Sequence, residues 1–194
     1  MTDDLTSVGE GFVVVSRNHT GGRISAACFL VDAYCVGVKD SFYRLRMEEE
    51  DFYDLIETIG ADECTYEEAH NWIYGAIAFA EEAGIKPDAS FALTQYMLEE
   101  DTEDIPLIEH EFGRDGMHFL AAKNKLEASR YLPLLKKNLG DNFDFYIDDV
   151  DDESDYDADP FDFDWDDDTD DYDDDADDDA RRRGRNSPSP SWKP

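Results

Sequence analysis

The chain has 194 residues, with 50 Asp and Glu against 17 Lys and Arg, a formal net charge of −33 and 41% hydrophobic residues. So acidic a surface repels phosphate backbones and anionic lipid, which argues against a broad nucleic-acid footprint and against docking on anionic membranes. No apolar run approaches the ~20 residues of a membrane-spanning helix; the longest, residues 26–31, is strand-sized.

Residues 1–11 are polar and expected to fray. They lack the basic and apolar blocks of a secretory signal. Three irregularly spaced cysteines, Cys28, Cys35 and Cys64, then read as reduced thiols and a cytoplasmic location. Residues 12–16 are β-branched, 18–22 carry Asn and two glycines, and 23–31 resume an apolar run, which predicts a β-hairpin. Residues 36–39 and 42–46 predict another strand, broken near Asp40 and Ser41.

Helical spacing follows. Phe52, Leu55, Ile56 and Ile59 share one face of a helix over 48–59, and Gly60 stops it. Thr65 and Glu68 form a capping-box pattern ahead of Ala69, Trp72, Ile73, Ala76, Ile77 and Ala80. A third helix is expected from Asp88 or Ser90 to about Glu99. Residues 107–112 alternate, with Leu107, Glu109 and Glu111 on one side and Ile108, His110 and Phe112 on the other. The turn at 113–116 and a return strand at 117–121 predict a second hairpin. A last helix spans 129–139, its start drawn toward Tyr131 or Leu132 by Pro133, and residues 142–147 form a last strand. Strands followed by helices predict a single α+β domain over 12–147, with a mainly antiparallel sheet and about four helices.

Three segments stand out: residues 27–43 with Leu30-Val-Asp-Ala-Tyr-Cys-Val-Gly-Val-Lys-Asp40, residues 73–80 with Tyr74-Gly-Ala, and residues 111–116 with Phe112-Gly-Arg-Asp-Gly116. Together they resemble a family of uncharacterised bacterial proteins. The resemblance covers most of 12–147 and none of the acidic segment beyond it. It implies one ordered domain and carries over no catalytic residue.

Asp32, Lys39 and Asp40, with Cys35 nearby, form the densest cluster of reactive side chains. Carboxylates beside a lysine can hold a metal or position a phosphate. Glu109 and Glu111, flanking His110, offer further carboxylates. A metal-dependent phosphoesterase or nuclease is therefore one reading, and a turn with ordinary charge pairing is the simpler one. Cys35 with His70 or His110 would make a thiol and base, although a thiol among apolar strand residues usually packs. His110 and His118 flank the second predicted hairpin and would face each other as a cross-strand pair. Asp155, Asp157 and Asp159 imitate the start of a calcium loop, but Pro160 replaces the required Gly and Asp166 the closing Glu. No resident metal or cofactor is expected.

Residues 148–180 are the most unusual segment. From Asp148 to Asp179 there are 21 acids and no base. Such a composition cannot offset the entropy of folding and predicts a disordered tail. Five aromatics lie in it: Tyr156, Phe161, Phe163, Trp165 and Tyr172. In an extended chain Phe161, Phe163 and Trp165 share one face, and Asp162, Asp164 and Asp166 the other. These residues are the expected contact set for a basic, nucleic-acid-binding partner, with carboxylates imitating phosphates and rings imitating bases. Residues 181–194 are basic and Ser/Pro-rich, led by the Arg181–Arg185 run. The leading expectation is a non-enzymatic binding or regulatory protein. The alternatives are the metal-dependent enzyme above and a structural domain of a larger assembly with a solubilising tail.

Overall fold

The computed structural model describes residues 1–102 and 104–148. The chain divides into two units, residues 1–157 and 158–194, and all described residues belong to the first. The calls on Tyr156, Phe161, Asp162, Phe163, Asp164, Trp165, Asp166 and Tyr172 lie outside the described residues.

The architecture is α+β, with a mainly antiparallel three-stranded sheet, a small parallel sheet and five helices among the described residues. β1 (Glu10–Asn18), β2 (Ile24–Asp32) and β3 (Gly37–Met47) form the larger sheet in sequence order. The first hairpin forms as the turn chemistry predicts: Gly21 and Gly22 take positive φ, and His19 N–H donates to the Arg23 carbonyl. Every residue of β2 is buried, because it is the central strand and receives α3 (Tyr66–Glu82), which packs on all three strands. Val13, Val15, Ala27, Phe29, Val31, Trp72, Ile73 and Ala76 meet in this core. Full burial of a side chain such as Phe29 is worth roughly 1.5–3 kcal/mol.

The expected break at Asp40 and Ser41 is absent, since β3 runs through both. The irregularity sits one residue earlier. Leu30 pairs with Asp40 but Val31 with Val38, so Lys39 is the extra residue of a β-bulge. A bulge turns its side chain out of the regular alternation.

Residues 1–11 do not fray. Thr2 N–H donates to the Phe12 carbonyl, α1 (Asp4–Ser7) follows, and Leu5 is fully buried. α2 (Glu49–Ile59) ends at Gly60 as expected. Thr65 caps α3 by accepting Glu68 N–H at 3.2 Å. The third expected helix shrinks to α4 (Phe91–Thr94) and one 3-10 turn, Gln95–Met97.

The second expected hairpin is corrected. β4 (His118–Ala122) pairs in parallel with β5 (Phe143–Ile147), and residues 107–112 join neither. A parallel pair requires a crossover, which is α5 (Lys125–Leu139). α5 starts four residues before the expected 129, and Pro133 lies inside it. The cause is its N-cap: Asn124 Oδ1 accepts Glu127 N–H at 2.9 Å, and Glu127 Oε2 accepts Lys123 N–H at 2.8 Å. This cap fixes the first turn upstream, and the helix then tolerates the single N–H that proline lacks. Ala80, Ala83, Leu120, Ala122, Ala128 and Leu135 form a second core joining α3, β4 and α5.

Candidate functional site

The Asp32 and Lys39 pair converges as the sequence suggested, in a buried polar cluster. Tyr34 and Cys35 donate backbone N–H to Asp32 Oδ1, each at 2.9 Å, so the carboxylate closes the turn after β2. Lys39 Nζ donates to Glu10 Oε2 at 2.6 Å and lies 3.2 Å from Glu127 Oε1. Its side chain is 10% exposed. One cation thus links β1, β3 and α5. Glu10 and Glu127 carry no local sequence signal for this role, since they lie 29 residues before and 88 residues after Lys39.

The electrostatics follow from burial. Asp32 is pushed up to about 6, chiefly by burial and also by Glu10, against the pull of Lys39 and the two N–H donors. Burial alone would depress Lys39, but Glu10, Asp32 and Glu127 together raise it, so it stays charged. Burial would raise Glu127, yet the Lys123 N–H and Lys39 hold it below the usual range. Burial, reinforced by Asp32, pushes the Cys35 thiol up to about 12. The thiol is therefore protonated at neutral pH, which removes the nucleophile that the Cys35 reading needs.

Asp40 does not join this cluster through its hydrogen bond: its Oδ1 accepts Ser41 N–H at 2.7 Å. His70 is fully buried, with Nε2 at 3.1 Å from the Glu99 carbonyl and its ring against Tyr66 and Tyr74. His110 and His118 do not face each other across a hairpin. His110 stacks on Trp72 at 4.1 Å between centroids, and His118 on Phe79 at 3.9 Å. Among the described residues, no group of three or more His, Cys, Asp and Glu side chains is placed to hold a metal ion.

Glu109 and Glu111 belong to a second place, an open groove of about 630 Å³. One wall is α3, through Asn71, Tyr74, Gly75 and Ala78; the other is residues 107–112, with Asp101 also lining it. The period-two pattern of 107–112 is real in burial. Leu107, Glu109 and Glu111 are exposed, and Ile108, His110 and Phe112 are half-buried. The segment is anchored on α3 instead of on a strand: Ile108 N–H donates to Asn71 Oδ1 at 3.2 Å, and Asn71 Nδ2 to the Pro106 carbonyl at 3.0 Å. Phe112 lies over Gly75 so closely that a Cβ there would run into its ring. Burial holds His110 below the usual range, with Glu68 opposing. The alternation expected of this segment is present, but its neighbour is α3 and not the strand that was expected.

Among the described residues, no helix is long and apolar enough to cross a membrane. No family model, no curated protein and no solved structure matches this chain.

Proposed function

We propose that the chain is a non-enzymatic binding or regulatory protein whose acidic-aromatic segment engages a basic, nucleic-acid-binding protein partner. The observation that carries this reading is the run of 21 acids without a base from Asp148 to Asp179, with Phe161, Phe163 and Trp165 at alternate positions. Charge would speed encounter and make it salt-sensitive, and the rings would supply residence.

The use made of the candidate catalytic groups supports it further. Asp32 closes a turn, Lys39 is held by two glutamates, Asp40 accepts its neighbour's N–H and His70 is bonded to a backbone carbonyl. Each is engaged in holding the fold. The phosphoesterase reading requires Asp32, Asp40 and Glu109 or Glu111 around one cation, and Asp32 is not among the residues lining the groove of Glu109 and Glu111.

Capture from cell extract with the full chain and with a chain ending at residue 147 tests the proposal. The expected result is loss of partners on truncation, release by raised salt, and release by an added duplex oligonucleotide. Replacing Phe161, Phe163 and Trp165 with Ala in the full chain should shorten the partner's residence. Retention of the same partners after truncation and in raised salt overturns it.

A further inference from the structure

We propose that the groove between α3 and residues 107–112 binds an extended segment of a basic protein partner, with Lys or Arg at alternate positions and small apolar residues between them. The inference rests on the partner class proposed above and gives the described domain its own site for that partner.

Three observations converge on this occupant. The first is the wall itself. Residues 107–112 alternate between exposed and half-buried like a strand, yet no strand among the described residues pairs with them. They are tied at one end by Ile108 N–H on Asn71 and at the other by Gly113 N–H on the Ala33 carbonyl, 2.9 Å away. A held, unpaired extended run is the template to which a partner strand adds.

The second is charge. Asp101, Glu109 and Glu111 line the groove, and no Lys or Arg among the described residues does. The Tyr74 hydroxyl inside it is held above its usual range by burial, with Asp101 reinforcing the shift. An incoming cation finds partners there, and a phosphate does not.

The third is apolar surface beside those charges. Leu107 is 80% exposed, next to half-buried Ile108 and Phe112. His110, which also lines the groove, stacks on Trp72, a 6% exposed residue outside the lining. A space of about 630 Å³ takes a few side chains of a peptide, within the ~300–1,000 Å³ of ordinary ligand sites.

The test uses the full chain and two eight-residue probes of equal charge, alternating Lys with Val and Lys with Ser. Amide NMR should show the Lys/Val peptide shifting Asn71, Gly75, Glu109 and Glu111, with affinity at least tenfold above that of Lys/Ser. Glu109→Lys with Glu111→Lys should weaken Lys/Val at least tenfold, and Leu107→Ser should weaken it several-fold. Shifts lying wholly outside residues 71–112, equal binding of both peptides, or an affinity within twofold after the double substitution each overturn the inference. Replacing Phe161, Phe163 and Trp165 with Ala reads the other segment separately. If only that triple variant weakens binding, the groove is excluded and the function proposed above stands. If only the groove variants do, the groove stands and that function fails.

Discussion

The Lys39 cluster and the groove at 107–112 both gather carboxylates, and they differ in what else is present. At Lys39 a buried cation takes Glu10 and Glu127, and Asp32 holds two backbone N–H groups. At the groove, Asp101, Glu109 and Glu111 line an open space to which no Lys or Arg among the described residues contributes. The first arrangement spends its charges on joining β1, β3 and α5, and the second leaves them for something outside. The carboxylates of the groove are the ones that the proposed basic segment would meet.

The sharpest way to break this contrast is Lys39→Met. Removing the cation leaves carboxylates without their counter-charge, a loss of roughly 3–5 kcal/mol for a buried pair. Glu10 is partly exposed, so the lower end, about 3 kcal/mol, is expected. In thermal unfolding that is a drop of roughly 6–12 °C for a domain of this size. Adding Glu10→Gln and Glu127→Gln should restore at least half of it. A loss below about 1 kcal/mol would show that the cluster does not hold the elements together.

Asp32→Asn sharpens the same side through pH. The Asp32 carboxyl is raised from 3.8 to about 6 in the fold, so the folded protein binds this proton more tightly than the unfolded chain. Its stabilising contribution is present in full below about pH 4 and is lost as pH rises through about 6. Asn keeps an oxygen for Tyr34 and Cys35 N–H but does not titrate. Relative to the native chain, the variant should therefore gain of order 2 kcal/mol between pH 4 and pH 7. Urea unfolding across that range measures it, and parallel curves for the two proteins would refute the assignment.

How much of this was legible beforehand depended on the range of the interactions. The first hairpin, α2, α3 and the Thr65 cap rest on neighbours within a few residues, and the sequence pattern locates them. The Asp32–Lys39 proximity was also visible, because seven residues and one turn separate them. Glu10 and Glu127 were not, since the β1–β2 register, which sets Glu10 opposite Asp32, and a crossover helix bring them in from distant segments. The alternation of 107–112 was read correctly as extended and one-sided. Its partner was misassigned because period two reports which side is buried and says nothing about whether a strand or a helix buries it. For α5, Pro133 suggested a late start, and the Asn124 cap outweighed it.

Gly75→Ala tests whether the groove depends on how closely α3 and Phe112 approach. The added methyl would strike the Phe112 ring, which Trp72, Phe79 and His110 surround. Overpacking of this kind costs about 1–3 kcal/mol, and the better helix propensity of Ala returns up to about 1 kcal/mol. A net loss of about 1 kcal/mol is expected. It should come with a moved indole N–H resonance of Trp72, since His110 is carried on the displaced segment. An unchanged Trp72 signal would mean that the wall of the groove does not rest on Gly75.

The smallest expected effect discriminates most cleanly between the two regions. Glu109 and Glu111 are exposed, and among the described residues no hydrogen bond or ion pair of the fold uses either carboxylate. Exposed substitutions away from caps and networks change stability by about 0.5 kcal/mol or less. Glu109→Lys with Glu111→Lys should therefore leave the melting temperature within about 2 °C of the native chain. The same double reversal should weaken binding of the Lys/Val peptide at least tenfold. If it instead destabilised the protein as strongly as Lys39→Met, these carboxylates would be structural and the contrast between the two regions would disappear.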